Sequence, residues 1–197
     1  SLRIQSAFRF LLILKAGYVP IIFIFFYKFI LCDKYNIISL YKSILISKHI
    51  IKVKKTFIKI CIASDHAGYD LKEKIKDYLI NQSISVIDLG PYSENSVDYP
   101  VYAKKVAKRL IMGKSDAGIL VCGSGTGMAI TANKFKGIRA AQCYNKASTI
   151  LSRQHNNSNI ICLGARMLKY KEAFRYVTYF LDTKFDKGRH QKRINKI

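Results

Sequence analysis

Cys122 ends an apolar run and is followed by glycines at alternate positions, Gly123, Gly125 and Gly127, with Ser124 and Thr126 between them. Glycines at such a place let backbone N–H groups approach an anion closely, and a following helix adds a favourable dipole. A thiol beside that cradle can have its pKa lowered and act as a base or a nucleophile. The implied chemistry is proton or group transfer next to a stabilised anion. Other polar candidates are Asp65 and His66, His155 and Asn156, Arg166, and the pair Arg189 and Arg193 near the C-terminus.

The elements that must position these residues follow from hydrophobic periodicity. Residues 58–64 form a short β-rich run, and Leu71, Ile75, Tyr78 and Leu79 then recur at helical spacing. Ile84 to Leu89 reads as a second strand. Asp98-Tyr99-Pro100 introduces a helix with Tyr102, Val106, Ala107 and Leu110 on one face. Asp116 to Val121 is a buried strand leading into Cys122, and a helix runs on through Met128 to Asn133. Gly137 to Cys143 and Asn159 to Leu163 supply strands four and five, with helices over Lys146 to Arg153 and Lys171 to Leu181. Strands alternating with helices predict an α/β fold, a five-stranded parallel sheet covered on both faces. Ligands of such sheets bind beyond the carboxyl ends of the strands. Asp65-His66 follows strand one, the glycine loop follows strand three and Arg166 follows strand five, whereas His155-Asn156 precedes strand five.

The formal net charge of +22 points toward nucleic acid or an anionic membrane only until it is divided. Residues 1–57 carry ten Lys/Arg against the single Asp33, and residues 58–197 carry twenty-four against eleven acids. The second part is mixed in sign and has no dense basic block interleaved with aromatics, so no nucleic-acid partner is expected. The five cysteines show neither a CxxC pair nor a disulfide-like spacing, which fits a reducing, cytoplasmic setting. His190 and His49 offer no usable spacing with other ligands, and no metal is expected.

Residues 1–57 are a different kind of sequence, apolar and basic, rich in Ile, Phe, Leu, Tyr and Lys. Val19 to Tyr27 is uncharged, but Lys15, Gly17, Pro20 and Lys28 interrupt the span that a membrane helix needs. The segment reads as an imperfect anchor, as an organellar leader, or as translated sequence upstream of the working protein. The last is favoured, because the chain starts at Ser1 and the composition is what AT-rich sequence would encode. A membrane partner or an organellar location is expected only if the segment is retained.

From residue 58 onward the chain resembles the type B ribose-5-phosphate isomerases, a family that also contains allose- and galactose-6-phosphate isomerases. The resemblance rests on Ser64-Asp65-His66-Ala67-Gly68, Asp98-Tyr99-Pro100, Cys122-Gly123-Ser124-Gly125-Thr126-Gly127, Ala132-Asn133-Lys134, Gly137-Ile138-Arg139-Ala140-Ala141, Ser152-Arg153-Gln154-His155-Asn156-Asn157, Gly164-Ala165-Arg166 and Gly188-Arg189-His190-Gln191, in that order. It implies a Rossmann-like three-layer sandwich, a homodimer or dimer of dimers with sites between subunits, and a cofactor-free, metal-free aldose–ketose isomerisation through a cis-enediolate. On this resemblance Cys122 is the base, and the amides from Gly123 through Ser124, Gly125 and Thr126 to Gly127 hold the enediolate oxygens. His155 assists ring opening beside Asn156, Asp65 and His66 contact substrate, and Arg166, Arg189 and Arg193 serve the phosphate. Thr126 departs from the pattern, where Ile or Val is more usual. A branch of the family lacks this cysteine and uses a carboxylate in the loop; Cys122 places the chain in the cysteine branch.

Plainer readings compete at each position. Cys122 can be a buried strand-end thiol, Asp65 only an N-cap with His66 its neighbour, His155 a capping or core histidine, and Arg166, Arg189 and Arg193 solvated surface. A dinucleotide cradle would follow the first strand, whose loop here is not glycine-rich. The main alternatives in function are a six-carbon sugar-phosphate isomerase and a non-catalytic, membrane-associated sugar-phosphate-binding protein.

Overall fold

The computed structural model describes residues 59–197; the expectations for residues 1–57 lie outside the described residues. Strands β1 (Ile60–Ser64), β2 (Val86–Asp88), β3 (Ala117–Cys122), β4 (Ala140–Gln142) and β5 (Ile160–Gly164) form one all-parallel sheet in the order β2-β1-β3-β5-β4. The helices are α1 (Tyr69–Asn81), α2 (Tyr99–Ile111), α3 (Thr126–Ala132), α4 (Lys146–Gln154), α5 (Tyr170–Asp182) and α6 (Arg189–Ile194). The α/β sandwich expected from the sequence is therefore present. β2 and β4 are shorter than their apolar runs, and α6 adds a helix in the basic tail.

Right-handed crossovers decide which helix covers which face. The chain steps the same way, toward the β2 edge, from β1 to β2 and from β4 to β5, so α1 and α4 share a face, which α5 joins. The steps from β2 to β3 and from β3 to β4 run in the opposite direction and put α2 and α3 on the other face. Strand alternation feeds both layers. Ile60, Ile62, Ile119, Val121, Ile161 and Leu163 pack under α1 and α5, while Cys61, Ala63, Leu120, Cys122 and Cys162 face α2 and α3. Each fully buried Ile or Leu contributes about 1.5–3 kcal/mol.

Local signals set the helix starts. Pro100 sits in the first turn of α2, where its missing N–H costs nothing. Asn145 caps α4 by accepting from Ser148 N at 2.8 Å, and the Ser148 hydroxyl oxygen in turn accepts from the Asn145 N–H at 3.3 Å. In α1, Lys72 is fully buried and donates to Asp88 at 2.7 Å and to the carbonyl of Pro91 at 2.9 Å, tying the helix to the end of β2. The order of strands reverses between β1 and β3, and it is in the crevice at the carboxyl ends of such a switch that open sheets of this kind bind their ligands.

Candidate active site

Cys122 is the last residue of β3, and alternation turns its side chain toward the α2–α3 layer. Only 5% of it is exposed, and the Gly125 N–H donates to its Sγ at 3.0 Å. The sulfur thus serves as a hydrogen-bond acceptor at the start of the glycine loop. The other described cysteines lack that arrangement. Burial pushes the Cys61 thiol up to about 11, raises Cys143, and lifts Cys162 well above the ordinary range, so all three stay protonated.

The loop after Cys122 is held from three sides. Ala165 N donates to the Cys122 carbonyl at 2.8 Å and Arg166 N to the Gly123 carbonyl at 3.0 Å, so the chain beyond β5 continues the pairing with the loop. Gly125 has φ +84°, a left-handed conformation, and a Cβ there would lie 3.0 Å from the Leu163 carbonyl carbon. A Cβ on Gly127 would meet the Tyr99 ring at 2.7 Å, and one on Gly123 would touch the Arg166 guanidinium at 3.3 Å. Gln142, at the end of β4, reaches over the loop and donates to the Ser124 carbonyl at 3.0 Å and to Thr126 Oγ1 at 2.9 Å.

Asp65 and His66 lie across the crevice, after β1. Asp65 accepts from Gly68 N at 2.9 Å, so it does cap the short turn that precedes α1, and it is buried. The exposed His66 ring places Nδ1 3.2 Å from both the N and the O of Val97. Asp65, His66, Cys122, the glycine loop and Arg166 thus gather at the carboxyl edge of the sheet.

His155, Asn156, Arg189 and Arg193 form a second group, at the opposite edge. His155 ends α4, which returns from the carboxyl edge to the start of β5. Arg139, just before β4, donates from Nε to the carbonyls of Asn156 at 3.1 Å and Asn157 at 3.0 Å, placing this turn at the amino edge. The resemblance implies sites between subunits, and within one copy β5, five residues long, separates the two groups by roughly 13 Å of strand. Buried Arg153 braces the turn, donating to the carbonyl of Ser158, to Asn157 Oδ1 at 3.0 Å and to the Thr183 carbonyl at 3.3 Å. Burial, with the neighbouring Arg139 charge, lowers its pKa to about 10, still a cation at neutral pH. The His155 ring stacks on His190 with centroids 4.2 Å apart and planes 4° from parallel. Arg189 and Arg193 are exposed on α6 beside that stack.

Comparison with known proteins agrees with this architecture. Residues 60–197 match the family described as Ribose/Galactose Isomerase. The chain belongs to that family. Ribose-5-phosphate isomerase B of Escherichia coli is 42% identical over 139 residues, covering 71% of this chain and 93% of that protein. A crystal structure of a ribose 5-phosphate isomerase from Thermotoga maritima matches with a TM-score of 0.70 and 52% identity, over 71% of this chain and 96% of that one. The Mycoplasma genitalium ribose-5-phosphate isomerase B, solved with bound ribulose-5-phosphate, matches with a TM-score of 0.67 and 43% identity, over 70% of this chain and 92% of that one. The chain is accordingly an isomerase.

Several residues of this isomerase's candidate site escaped the sequence reading. Tyr99 belongs to a helix start and to one of the phrases that carry the resemblance, with no site role expected, yet its ring packs on Gly127. Gln142 was read only as part of strand four; a polar side chain at the carboxyl end of an otherwise apolar strand was the signal available. His190 was set aside on sequence spacing, but His155, Asp186 and His190 bring their ligand atoms within 4.8 Å of one another. Two imidazoles binding one zinc ion in their ring planes need nitrogens about 3.3 Å apart on converging axes. Parallel stacked rings do not present such axes, so chelation would require one ring to turn. Among the described residues no helix is long and apolar enough to cross a membrane.

Proposed function

We propose that this isomerase interconverts ribose 5-phosphate and ribulose 5-phosphate through a cis-enediolate, with Cys122 as the base. The observation that carries the reading is the Cys122 sulfur, held by the Gly125 N–H at the carboxyl edge of β3, beside the switch in strand order. The relative solved with ribulose-5-phosphate supports the five-carbon substrate.

In this reading the Cys122 thiolate takes the proton from C2 of the open-chain aldose, and the C2–H electron pair forms the C1–C2 double bond while negative charge passes to O1. Loop amides from Gly123 to Gly127 hold the enediolate oxygens; such donors are worth about 10²–10³ in rate. Proton exchange between O2 and O1, followed by return of the thiol proton to C1, yields the ketose with no net change in atoms or electrons. His155 assists ring opening with Asn156 beside it, Asp65 and His66 contact the sugar, and Arg166, Arg189 and Arg193 receive the phosphate. Guanidinium forks suit a phosphate dianion.

One copy does not bring these residues together, because the two groups sit at opposite edges of the sheet. The working site therefore takes Cys122 and its loop from one subunit and the His155–Arg189–Arg193 group from a second copy. Incubating the full chain with ribose 5-phosphate and following ribulose 5-phosphate tests the reading. Turnover is expected to fall at least 10³-fold in Cys122→Ala. Turnover that survives this substitution would remove the base assignment. Turnover of allose or galactose 6-phosphate alone would move the substrate to six carbons.

A further inference from the structure

We propose that Gln142 is a positioning residue for the chemistry at Cys122, acting through the single peptide unit that joins Ser124 to Gly125. That unit presents two polar groups in opposite directions. Its N–H, from Gly125, donates to Cys122 Sγ at 3.0 Å, and its carbonyl, from Ser124, accepts from Gln142 Nε2 at 3.0 Å. The second hydrogen of the same amide goes to Thr126 Oγ1 at 2.9 Å, so Gln142 spans the loop on both sides of Gly125.

The peptide needs such a hold. Gly125 at φ +84° has no side chain to resist rotation, and a flipped peptide would turn the Ser124 carbonyl toward the sulfur and repel a thiolate. With the carbonyl tied to Gln142, the flip costs a hydrogen bond, and the bond polarises the peptide so that its N–H is a better donor. Gln142 is itself firmly mounted. It pairs in register with Cys162 of β5, and Asn133 clamps the start of β4 by bonding both N and O of Ala140 at 2.8 Å. The hydroxyl of Thr126 accepts one of the two bonds. Thr126 and Gln142 therefore work as a pair.

The inference rests on Cys122 as the reacting group, and its test has a readout that needs no turnover. In the full chain, the rate at which iodoacetamide alkylates Cys122 at one fixed pH is followed by peptide mass spectrometry, alongside kcat and KM for ribose 5-phosphate. Gln142 is exposed, so Gln142→Leu is expected to keep its thermal midpoint while Cys122 alkylation falls about threefold and kcat about tenfold, with KM within about twofold. Gln142→Lys, which restores a donor, is expected to recover most of both losses. Unchanged or faster alkylation in Gln142→Leu would overturn the proposal whether or not ribose 5-phosphate proves to be the substrate. A loss that tracks the thermal midpoint and is not recovered by Gln142→Lys would overturn it in favour of a purely structural stitch.

Discussion

At Cys122 a sulfur atom, a backbone N–H and a left-handed glycine share a few ångströms, and each constrains the others. Gly125→Ala places a Cβ against the Leu163 backbone at a φ that alanine resists. The expected result is a loss of about 1–3 kcal/mol in urea unfolding, with kcat for ribose 5-phosphate down at least tenfold because the N–H turns from the sulfur. Full activity in a stable Gly125→Ala protein would show that this N–H is dispensable. The cysteine and its glycines were legible in the sequence because their chemistry depends on residue type and short spacing. Gln142 was not, since its reach to Ser124 and Thr126 depends on β4 lying at the sheet edge beyond β5. Asp65 shows the converse, a candidate substrate contact that also performs the plain capping role its type allows.

Two elements respond to pH in opposite regions of the molecule. Burial works against the Asp88 carboxylate, but bonds from Lys72, the Gly90 N–H and Lys76 outweigh it and hold its pKa below the usual value. The stability this contributes is complete above the unfolded Asp value of about 3.9 and is lost as pH falls through the lower folded value. Lys72→Met leaves Asp88 without its buried partner and is expected to cost about 3 kcal/mol at neutral pH, read by urea unfolding. The same variant should show a weaker dependence on acid below pH 4.

At α6 the sign differs in its cause. Burial, then the charges of His155, Arg189 and Arg193, lower the His190 pKa, with Asp186 opposing. A depressed histidine is neutral in the fold, so the unfolded chain binds more protons as pH drops below about 6.5, and stability falls there. Amide exchange across Arg189–Ile194, corrected for intrinsic rates, is expected to quicken between pH 7.5 and 5.5, and this response should vanish in His190→Phe. An unchanged exchange pattern would dissociate the stack from the docking of α6. Helix and strand identity was legible from periodicity in both regions, but α6 lies in a basic tail without a long apolar stripe. Its one buried anchor, His190, gives no periodic signal.

For the whole molecule, the separation of the two groups makes a sharp expectation. If each site combines the two edges of different copies, inactive Cys122→Ala and inactive Arg189→Ala/Arg193→Ala chains should complement when refolded together. Random pairing leaves one intact site in each mixed dimer and restores about a quarter of wild-type turnover. No recovery, with mixed dimers demonstrated by mass, would place the whole site within one copy. The sequence by itself determined the alternation of strands and helices, the two buried faces, the family and the cysteine–glycine loop, because these depend on residue type, period and order along the chain. Only the tertiary structure decided that β4 lies outside β5, which brings Gln142 to the loop, and that His155 stands across the sheet from Cys122. Strand order and sheet edge are set by crossover direction and by competition among long-range pairings, which leave no mark on local spacing.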